Sequence, residues 1–180
     1  MSRKLILYIS MSLDGFIATP DDSLEFLNPF MIDSEDYGYS EFTSTVDTYL
    51  VGRKTYDVVC TLTGGTFPPA EQFQCYVLSK SRSGSENGIT YYNGNLNELI
   101  DQLKNSSGKH IYCDGGGHLV RELLEIDAID EFIITVLPIL LGKGKRLFPG
   151  ADSGLLSLHA HEPKKYGNGL IQLRYSCENR

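Results

Sequence analysis

The stretch Thr48-Tyr49-Leu50-Val51-Gly52-Arg53-Lys54-Thr55-Tyr56 decides the fold class, because an apolar strand runs directly into a helix. Residues 48–52 (TYLVG) are strand-forming residues that end in a glycine, which predicts a short strand. Gly52 lets the backbone turn, and a helix is predicted from Arg53 to Cys60. A strand followed at once by a helix is the repeating unit of α/β folds with a parallel sheet.

Strands and helices alternate on both sides of this stretch. Residues 4–10 (KLILYIS) are a continuous apolar run, which predicts a first strand that is covered on both faces. Residues 19–34 form a long polar connection, and a loop of that length in a compact domain is usually functional. Further strands are predicted at residues 73–79, 89–92, 110–114 and 130–137, and further helices at 34–46 with Ser34 as N-cap, at 95–105 with Asn95 as cap, and at 118–125.

The end of the chain breaks the alternation. Residues 155–161 and 170–177 are predicted as an antiparallel strand pair, with a Gly167-Asn168-Gly169 turn between them. The whole order predicts an α/β fold: a central, mostly parallel twisted sheet, an antiparallel C-terminal strand pair, and about four helices on its two faces. No internal repeat or linker divides the chain, so residues 1–180 are predicted to form a single domain.

Composition is that of an ordinary globular protein. The 180 residues are 41% hydrophobic and 22% charged, which excludes an intrinsically disordered chain and a multi-span membrane protein. The net charge of −7 argues against a general basic surface, so neither nucleic acid nor an anionic membrane is an expected partner. No apolar stretch approaches the ~20 residues that a membrane-spanning helix needs.

Cysteine usage and the N-terminus both indicate a cytoplasmic protein. The cysteines have no C-x-x-C spacing and no accompanying histidine cluster, so we expect free thiols in a reducing compartment and no metal site. Residues 1–13 resemble a signal peptide in having two basic residues before an apolar run. Asp14-Gly15 interrupts that run and no A-x-A-like cleavage site follows, so we interpret it as a buried strand. The cysteines are Cys60, Cys75, Cys113 and Cys177.

The junction after residue 52 has an unusual charge for the start of a helix. Arg53 and Lys54 stand in the first predicted turn, where the helix dipole ordinarily favours acidic residues. Free N–H groups at a helix start attract anions, and cations there gain from a phosphate placed opposite them. These residues alone leave two interpretations open: a phosphate-binding loop, or a pair of solvated surface cations.

Two further strand ends favour the first interpretation. Asp114-Gly115-Gly116-Gly117-His118 joins a strand to a helix, and its glycines either admit pyrophosphate against the main chain or form a tight turn. Leu78-Ser79-Lys80 ends another strand with a hydroxyl and a cation. Ligands of open α/β sheets bind at the carboxyl ends of strands, so the three ends together favour a nucleotide with more than one phosphate group.

Taken together, the motifs resemble the dihydrofolate reductase-like superfamily, and within it the stand-alone relatives of the RibD C-terminal domain, a riboflavin-biosynthesis reductase. The resemblance covers essentially the whole chain and implies a three-layer α/β/α fold and a homodimer. It is carried, in order, by residues 12–18 (SLDGFIA), 52–56 (GRKTY), 77–79 (VLS), 115–117 (GGG), 130–138 (DEFIITVLP), 141–144 (LGKG) and 147–149 (LFP).

The resemblance implies an oxidoreductase that uses NADPH as its cofactor. In the family, the first two glycines of the pyrophosphate loop are joined by a cis peptide bond. Cations beside the cofactor favour NADPH over NADH, because a 2′-phosphate needs charged partners. The matching residues are Gly52, Arg53, Lys54 and Thr55 at the cofactor phosphates, Leu78, Ser79 and Lys80 beside the adenosine and its 2′-phosphate, and Gly115, Gly116, Gly117 and His118 at the pyrophosphate.

On the substrate side, the resemblance implies hydride transfer to a C=N or C=O bond of a small pterin- or pyrimidine-like heterocycle. The candidate catalytic acids are Asp14 in the SLDG motif, Asp114 before the glycines, and Asp36 after the long connection. Thr135 and Tyr37 are candidate substrate-binding residues. Each has a structural interpretation beside the functional one, since Asp-Gly is a common turn pair and threonine is common in strands.

The sequence departs from its relatives on this same side. Folate reductases hold the folate carboxylate with an arginine, yet no lysine or arginine occurs here between Lys54 and Lys80. The D-x-P-x-L stretch of the riboflavin-pathway reductases does not follow Gly52. An alternative function therefore stays open: a catalytically silent module that keeps the loops for an NADP-type nucleotide. In the reductase interpretation, residues 18–33 form a lid that excludes water from the hydride path.

Overall fold

The computed structural model describes residues 2–150 and 154–177. Its strands are β1 (Leu5–Ser12), β2 (Phe16–Ala18), β3 (Val46–Gly52), β4 (Gln74–Leu78), β5 (Gly84–Glu86), β6 (Ile89–Tyr92), β7 (His110–Gly115), β8 (Glu131–Leu137), β9 (Lys145–Arg146), β10 (Leu158–Ala160), β11 (Lys164–Lys165) and β12 (Ile171–Cys177). Its α-helices are α1 (Tyr39–Thr43), α2 (Arg53–Leu62), α3 (Leu96–Asn105) and α4 (Gly117–Glu125), and two short 3-10 helices span Glu25–Phe30 and Pro68–Glu71.

The central sheet contains ten strands in the order β10-β12-β8-β1-β7-β3-β4-β6-β5, with β11 beside β12. The strands from β8 to β6 in this order run parallel to one another. The edge strand β5 and the pair β12 and β10 at the other edge are antiparallel to their neighbours. The predicted mostly parallel α/β sheet with an antiparallel C-terminal pair is therefore confirmed.

Apolar side chains alternate between two hydrophobic cores, one on each face of the sheet. On β1, Leu5 and Leu7 belong to the core that α3 and α4 cover, whereas Ile6 belongs to the core on the opposite face. On β3, Leu50 belongs to the core under α3 and α4, and Val51 belongs to the core on the opposite face. Successive strand residues point to opposite faces, so a strand that is covered on both faces must be a continuous apolar run.

The helix predicted at residues 34–46 is much shorter in the structure. α1 spans only Tyr39–Thr43, and Ser34 does not cap it. Tyr37 and Gly38 have φ angles of +55° and +79°, so the backbone leaves helical geometry immediately before α1 begins. Val46 begins β3 instead of ending a helix. Residues 31–38 consequently stay irregular, and several of their side chains line a cavity.

The C-terminal strands form as predicted, but the predicted turn connects a different pair. β10 pairs with β12, with Leu158 opposite Cys177. The turn at residues 167–169 instead joins β11 to β12, where Lys165 lies opposite Ile171. In the described part of the chain, no helix is both long and apolar enough to cross a membrane.

Candidate functional site

A cleft of about 1450 Å³ lies where β3, β4 and β7 end. α2 starts directly after β3 and α4 starts two residues after β7, so both helices present their N-termini to this cleft. Carboxyl ends of parallel strands are where open α/β sheets bind ligands. All the residues predicted to contact the cofactor line this one cleft, except Gly115, which is buried in β7.

The N-terminus of α2 carries cations in place of a cap. Gly52 precedes the helix in an extended conformation and makes no side-chain capping bond, and no acidic residue stands in the first turn. Arg53 Nε contacts Asp57 Oδ1 one turn later at 2.7 Å, which holds the guanidinium along the helix surface. Lys54 lines the cleft beside it. The first turn of α2 thus combines free N–H groups with two positive side chains.

The N-terminus of α4 is joined to that of α2 by a hydrogen bond. The Gly115–Gly116 peptide bond is cis, as the resemblance implied. Gly116 N donates to Thr55 Oγ1 at 2.9 Å, so the glycine loop rests on the first turn of α2. A Cβ atom on Gly117 would lie only 2.2 Å from the backbone oxygen of Arg146, which leaves room for glycine alone.

α3 differs from α2 and α4 in having a conventional N-terminus. Asn95 caps α3 by accepting hydrogen bonds from the N–H groups of Asn97 and Glu98, and Glu98 supplies an acid in the first turn. α2 and α4 have neither a side-chain cap nor an acid there. Since uncapped N–H groups favour an anion, the two helix starts at the cleft form a ready anion-binding edge.

The end of β4 forms the next part of the cleft wall. Ser79 is buried, and its Oγ accepts hydrogen bonds from the backbone N–H groups of Ser81 and Arg82, which fixes the turn after the strand. Lys80 is exposed and lines the cleft next to Leu78. Ser79 therefore fixes the backbone of the turn, whereas Lys80 presents an exposed positive charge to the cleft.

Asp114 lines the cleft near the end of β7 and is held by two tyrosine hydroxyls. Tyr112 donates to Oδ1 at 3.0 Å, and Tyr49 donates to Oδ2. Tyr112 shares a face of β7 with Asp114, and Tyr49 lies opposite Tyr112 on β3. Burial raises the pKa of Asp114 to about 6, and the two hydrogen bonds oppose that rise. This carboxyl group can therefore exchange a proton near neutral pH.

A second, smaller cavity of about 260 Å³ adjoins the cleft. The two share lining residues on β1 and in the long connection, namely Tyr8, Ser10 and Leu27. The second cavity brings together three of the residues predicted for the substrate side: Asp36, Tyr37 and Thr135.

Tyr37 and Thr135 are fixed by one hydrogen-bond network. The backbone oxygen of Tyr37 accepts from the hydroxyls of Tyr8 and Tyr166 and from Gln172 Nε2. Thr135 is buried on β8, and its Oγ1 accepts from the same Gln172 amide at 3.2 Å. The network ties the long connection to the C-terminal strands and holds the wall of the second cavity in place.

Asp36 stands at the same cavity as an exposed carboxylate. It accepts hydrogen bonds from the backbone N–H groups of Gly38 at 2.9 Å and Ser40 at 3.0 Å. Hydrogen bonding from Ser40 and Gly38 lowers the pKa of Asp36, so the group is ionised at neutral pH. An ionised acid can attract or repel a ligand, but it has no proton to donate.

Asp14 lines neither cavity. Its carboxylate accepts hydrogen bonds from the Ser12 hydroxyl at 2.6 Å and from the N–H groups of Leu141 at 3.0 Å and Gly142 at 2.7 Å. These bonds, led by the one from Ser12, lower the pKa of Asp14 to about 2. The structure thus separates Asp14 from Asp114 and Asp36, and the carboxylate of Asp14 anchors the loop at residues 139–142.

Comparison with known proteins identifies the family. A family model described as the RibD C-terminal domain matches residues 3–172. The chain belongs to the RibD C-terminal domain family. Among curated relatives, the protein YwjB of Bacillus subtilis (strain 168), named as uncharacterized, is 40% identical over 176 residues, which cover 97% of this chain and 98% of YwjB.

Two solved structures resemble this RibD C-terminal domain over nearly its whole length. A crystal structure of a "putative riboflavin biosynthesis protein" from Shewanella sp. PV-4 has a TM-score of 0.86 and 29% identity, covering 99% of this chain and 100% of that one. Dihydrofolate reductase from Enterococcus faecalis, complexed with NADP(H) and RAB-propyl, has a TM-score of 0.67 and 16% identity over 99% of this chain and 100% of that one. The fold is therefore dihydrofolate reductase-like.

Several residues at the cleft of this RibD C-terminal domain were not predicted from the sequence. Lys145 and Arg146 line the cleft, where the backbone oxygen of Arg146 lies against Gly117 at the start of α4, and the guanidinium of Arg146 lies 4.7 Å from the ring centroid of Phe16. They directly follow the LGKG stretch, which carries the resemblance but predicted no site residue. Tyr49, which holds Asp114, is also new. Among the described residues, no group of three or more His, Cys, Asp or Glu side chains could hold a metal ion.

Proposed function

We propose that this protein is an NADPH-dependent reductase that transfers a hydride to a C=N or C=O bond of a small heterocycle. The observation that carries the proposal is the pair of uncapped helix starts, joined by the Gly116–Thr55 hydrogen bond and facing one cleft. Two helix N-termini and several cations on one cleft suit a ligand with more than one phosphate group.

The residues of the cleft fit NADPH in size and charge. Pockets for drug-sized ligands have volumes of roughly 300–1,000 Å³, and the cleft, at about 1450 Å³, has room for a dinucleotide. The first turn of α2 and the glycine loop before α4 would hold the pyrophosphate. Lys80, at the end of β4, would pair with the 2′-phosphate of the adenosine, which NADH lacks.

The proposed chemistry divides between cofactor and protein. NADPH supplies the hydride when it is bound. Asp114 is the group of this chain best suited to hold the proton, because its carboxyl lines the cleft and has a pKa of about 6. At pH 7 about a tenth of such a group is protonated. Tyr49 and Tyr112 would orient the carboxyl, and turnover would fall as the pH rises above 6.

The long connection after β2 would act as the lid over this chemistry. Leu24 and Leu27, at the 3-10 helix of residues 25–30, line the cleft with apolar side chains. Apolar side chains over the reacting atoms would exclude water from the hydride path. Asp14 has no part in this proposal, because its carboxylate is occupied at the loop of residues 139–142.

The first test is a titration with NADPH and a titration with NADH, in which thermal shift measures the binding. A ligand at ~100 times its dissociation constant stabilises the native state by about 2.7 kcal/mol, which gives a clear shift. We expect NADPH to bind more tightly than NADH, and Lys80→Gln to reduce that difference about tenfold. Lys165→Gln changes an exposed lysine outside both cavities and should leave it unchanged.

The same experiment separates the two functions that the sequence leaves open. NADPH binding together with oxidation of NADPH by a heterocycle supports the reductase. Tight NADPH binding without turnover of any pterin- or pyrimidine-like compound would support the silent nucleotide-binding module. A protein that responds to neither dinucleotide contradicts both.

A further inference from the structure

The second cavity differs from the cleft in its charge. Of its lining residues in the described ranges, Asp36 alone is charged, and no lysine or arginine lines the cavity. The adjoining cleft, by contrast, is lined by several cations beside its acidic residues, including Lys54, Lys80 and Arg146. The positive charge of the site is thus concentrated where the cofactor phosphates are proposed to bind.

Among the described residues, no cation lines the second cavity to neutralise the carboxylate of Asp36. Lys164 acts on Asp36 electrostatically, but its ammonium group lies 4.9 Å from the ring centroid of Tyr166 and does not line the cavity. The hydrogen bonds to the Asp36 carboxylate come from uncharged groups of the turn at residues 38–40, namely the Ser40 side chain and the backbone N–H groups of Gly38 and Ser40. A ligand anion in the cavity would therefore lose hydration, face a carboxylate, and gain no positive partner.

The size and walls of the second cavity suit a flat ring system. Its volume of about 260 Å³ lies just below the range of roughly 300–1,000 Å³ for drug-sized ligands. One wall is the ring of Tyr8, which stacks on Phe42 with centroids 4.4 Å apart and meets Tyr39 edge-on at 5.8 Å. These packed rings present a fixed aromatic surface, against which a planar heterocycle can stack.

We propose, on the basis of the reductase function proposed above, that the substrate is a small planar heterocycle without an anionic tail. Asp36 is the one charged residue among the described residues that line the second cavity, and its carboxylate disfavours a ring with a carboxylate or phosphate group attached. The substrate class is therefore an uncharged or cationic one- or two-ring heterocycle, and a ring extended by a glutamate or a ribose phosphate is a poor substrate.

The test compares substrates that share the reacting bond and differ only in the tail. One pair is a dihydropterin without a side chain and the corresponding dihydrofolate; the other is an aminopyrimidine ribonucleoside and its phosphate ester. We expect NADPH oxidation to show a kcat/KM at least tenfold higher for the uncharged member of each pair. Binding of each compound with NADP⁺ present, measured by thermal shift, gives a second readout that does not need turnover.

Charge variants at the second cavity test the cause of the preference. Met31→Lys places an ammonium group at its rim, because Met31 lines the cavity and is 74% exposed. It should reduce the preference for the uncharged member at least threefold, and Asp36→Asn should act in the same direction. Leu62→Lys is the matched control, because Leu62 is 66% exposed at the end of α2 and lines neither cavity.

The outcomes separate this inference from the proposed function. A protein that binds NADPH and prefers the anionic members refutes the inference and leaves the reductase intact. A protein that binds no NADPH refutes the reductase, and the thermal shifts with the rings alone still decide the inference. If the protein binds neither uncharged ring, the inference on the substrate class is overturned. The inference is also overturned if Leu62→Lys changes the substrate preference as much as Met31→Lys does.

Discussion

Asp114 should make the stability of this fold depend on pH in the sense opposite to that of a salt-bridged carboxylate. Burial raises the pKa of Asp114 from 3.8 to about 6. Each unit of pKa shift corresponds to 1.36 kcal/mol, so the ionised form costs the folded state about 3 kcal/mol. The folded state binds the proton more tightly than the unfolded state does. The cost is therefore absent below about pH 3.8, grows as the pH rises, and is complete above about pH 6.

Asp114→Asn removes the ionisation and keeps the shape of the side chain. We expect the free energy of unfolding of the variant, minus that of the wild type, to increase by about 2.5 kcal/mol between pH 4 and pH 8, because a small part of the cost is already present at pH 4. An altered hydrogen bond to Tyr49 or Tyr112 contributes the same offset at every pH and cancels from this change. Urea unfolding of both proteins at one-unit pH intervals measures it.

A difference between D114N and wild type that stays constant from pH 4 to pH 8 would refute the assignment of the raised pKa to Asp114. Tyr49→Phe provides an independent check. It removes a hydrogen bond that lowers the pKa of Asp114, so the pH dependence should move to higher pH. Tyr76→Phe is the matched control, because the Tyr76 hydroxyl accepts from Gln74 and makes no bond to Asp114.

Two further predictions concern the loops around the cleft. Gly117→Ala should destabilise the protein by about 1–3 kcal/mol and weaken NADPH binding, because its Cβ would overlap the Arg146 carbonyl. Thermal unfolding measures the change, and Gly167→Ala is the neutral control, because a Cβ at Gly167 would have no atom within 4 Å apart from those of its chain neighbours. Asp14→Asn should lower stability above pH 4 and lose its effect as the pH falls toward 2, because hydrogen bonding lowers the pKa of Asp14 to about 2. A changed pH profile of turnover in D14N would instead place Asp14 in the mechanism.

The fold could be predicted wherever one short segment determines its own structure. The strands predicted at residues 4–10 and 130–137 are rich in apolar and β-branched residues, and α3 begins after a residue with a conventional capping side chain, Asn95. The helix at residues 34–46 could not be predicted correctly, because positive φ angles at Tyr37 and Gly38 end helical geometry there. The Tyr37 conformation is stabilised by partners far along the chain, including Tyr166 and Gln172, which no local pattern contains.

The same distinction explains which residues of the candidate site could be predicted from the sequence. The residues proposed to contact the cofactor lie on short contiguous segments at strand ends, so their types and spacing were visible in the sequence. Tyr112 and Asp114 also show a local signal, because residues two apart on a strand share a face. The third member, Tyr49, is 65 residues from Asp114 and reaches it only through the register of β3 against β7. Since that register brings the tyrosines around Asp114, the acid's environment is a property of the assembled sheet and not of the DGGG motif.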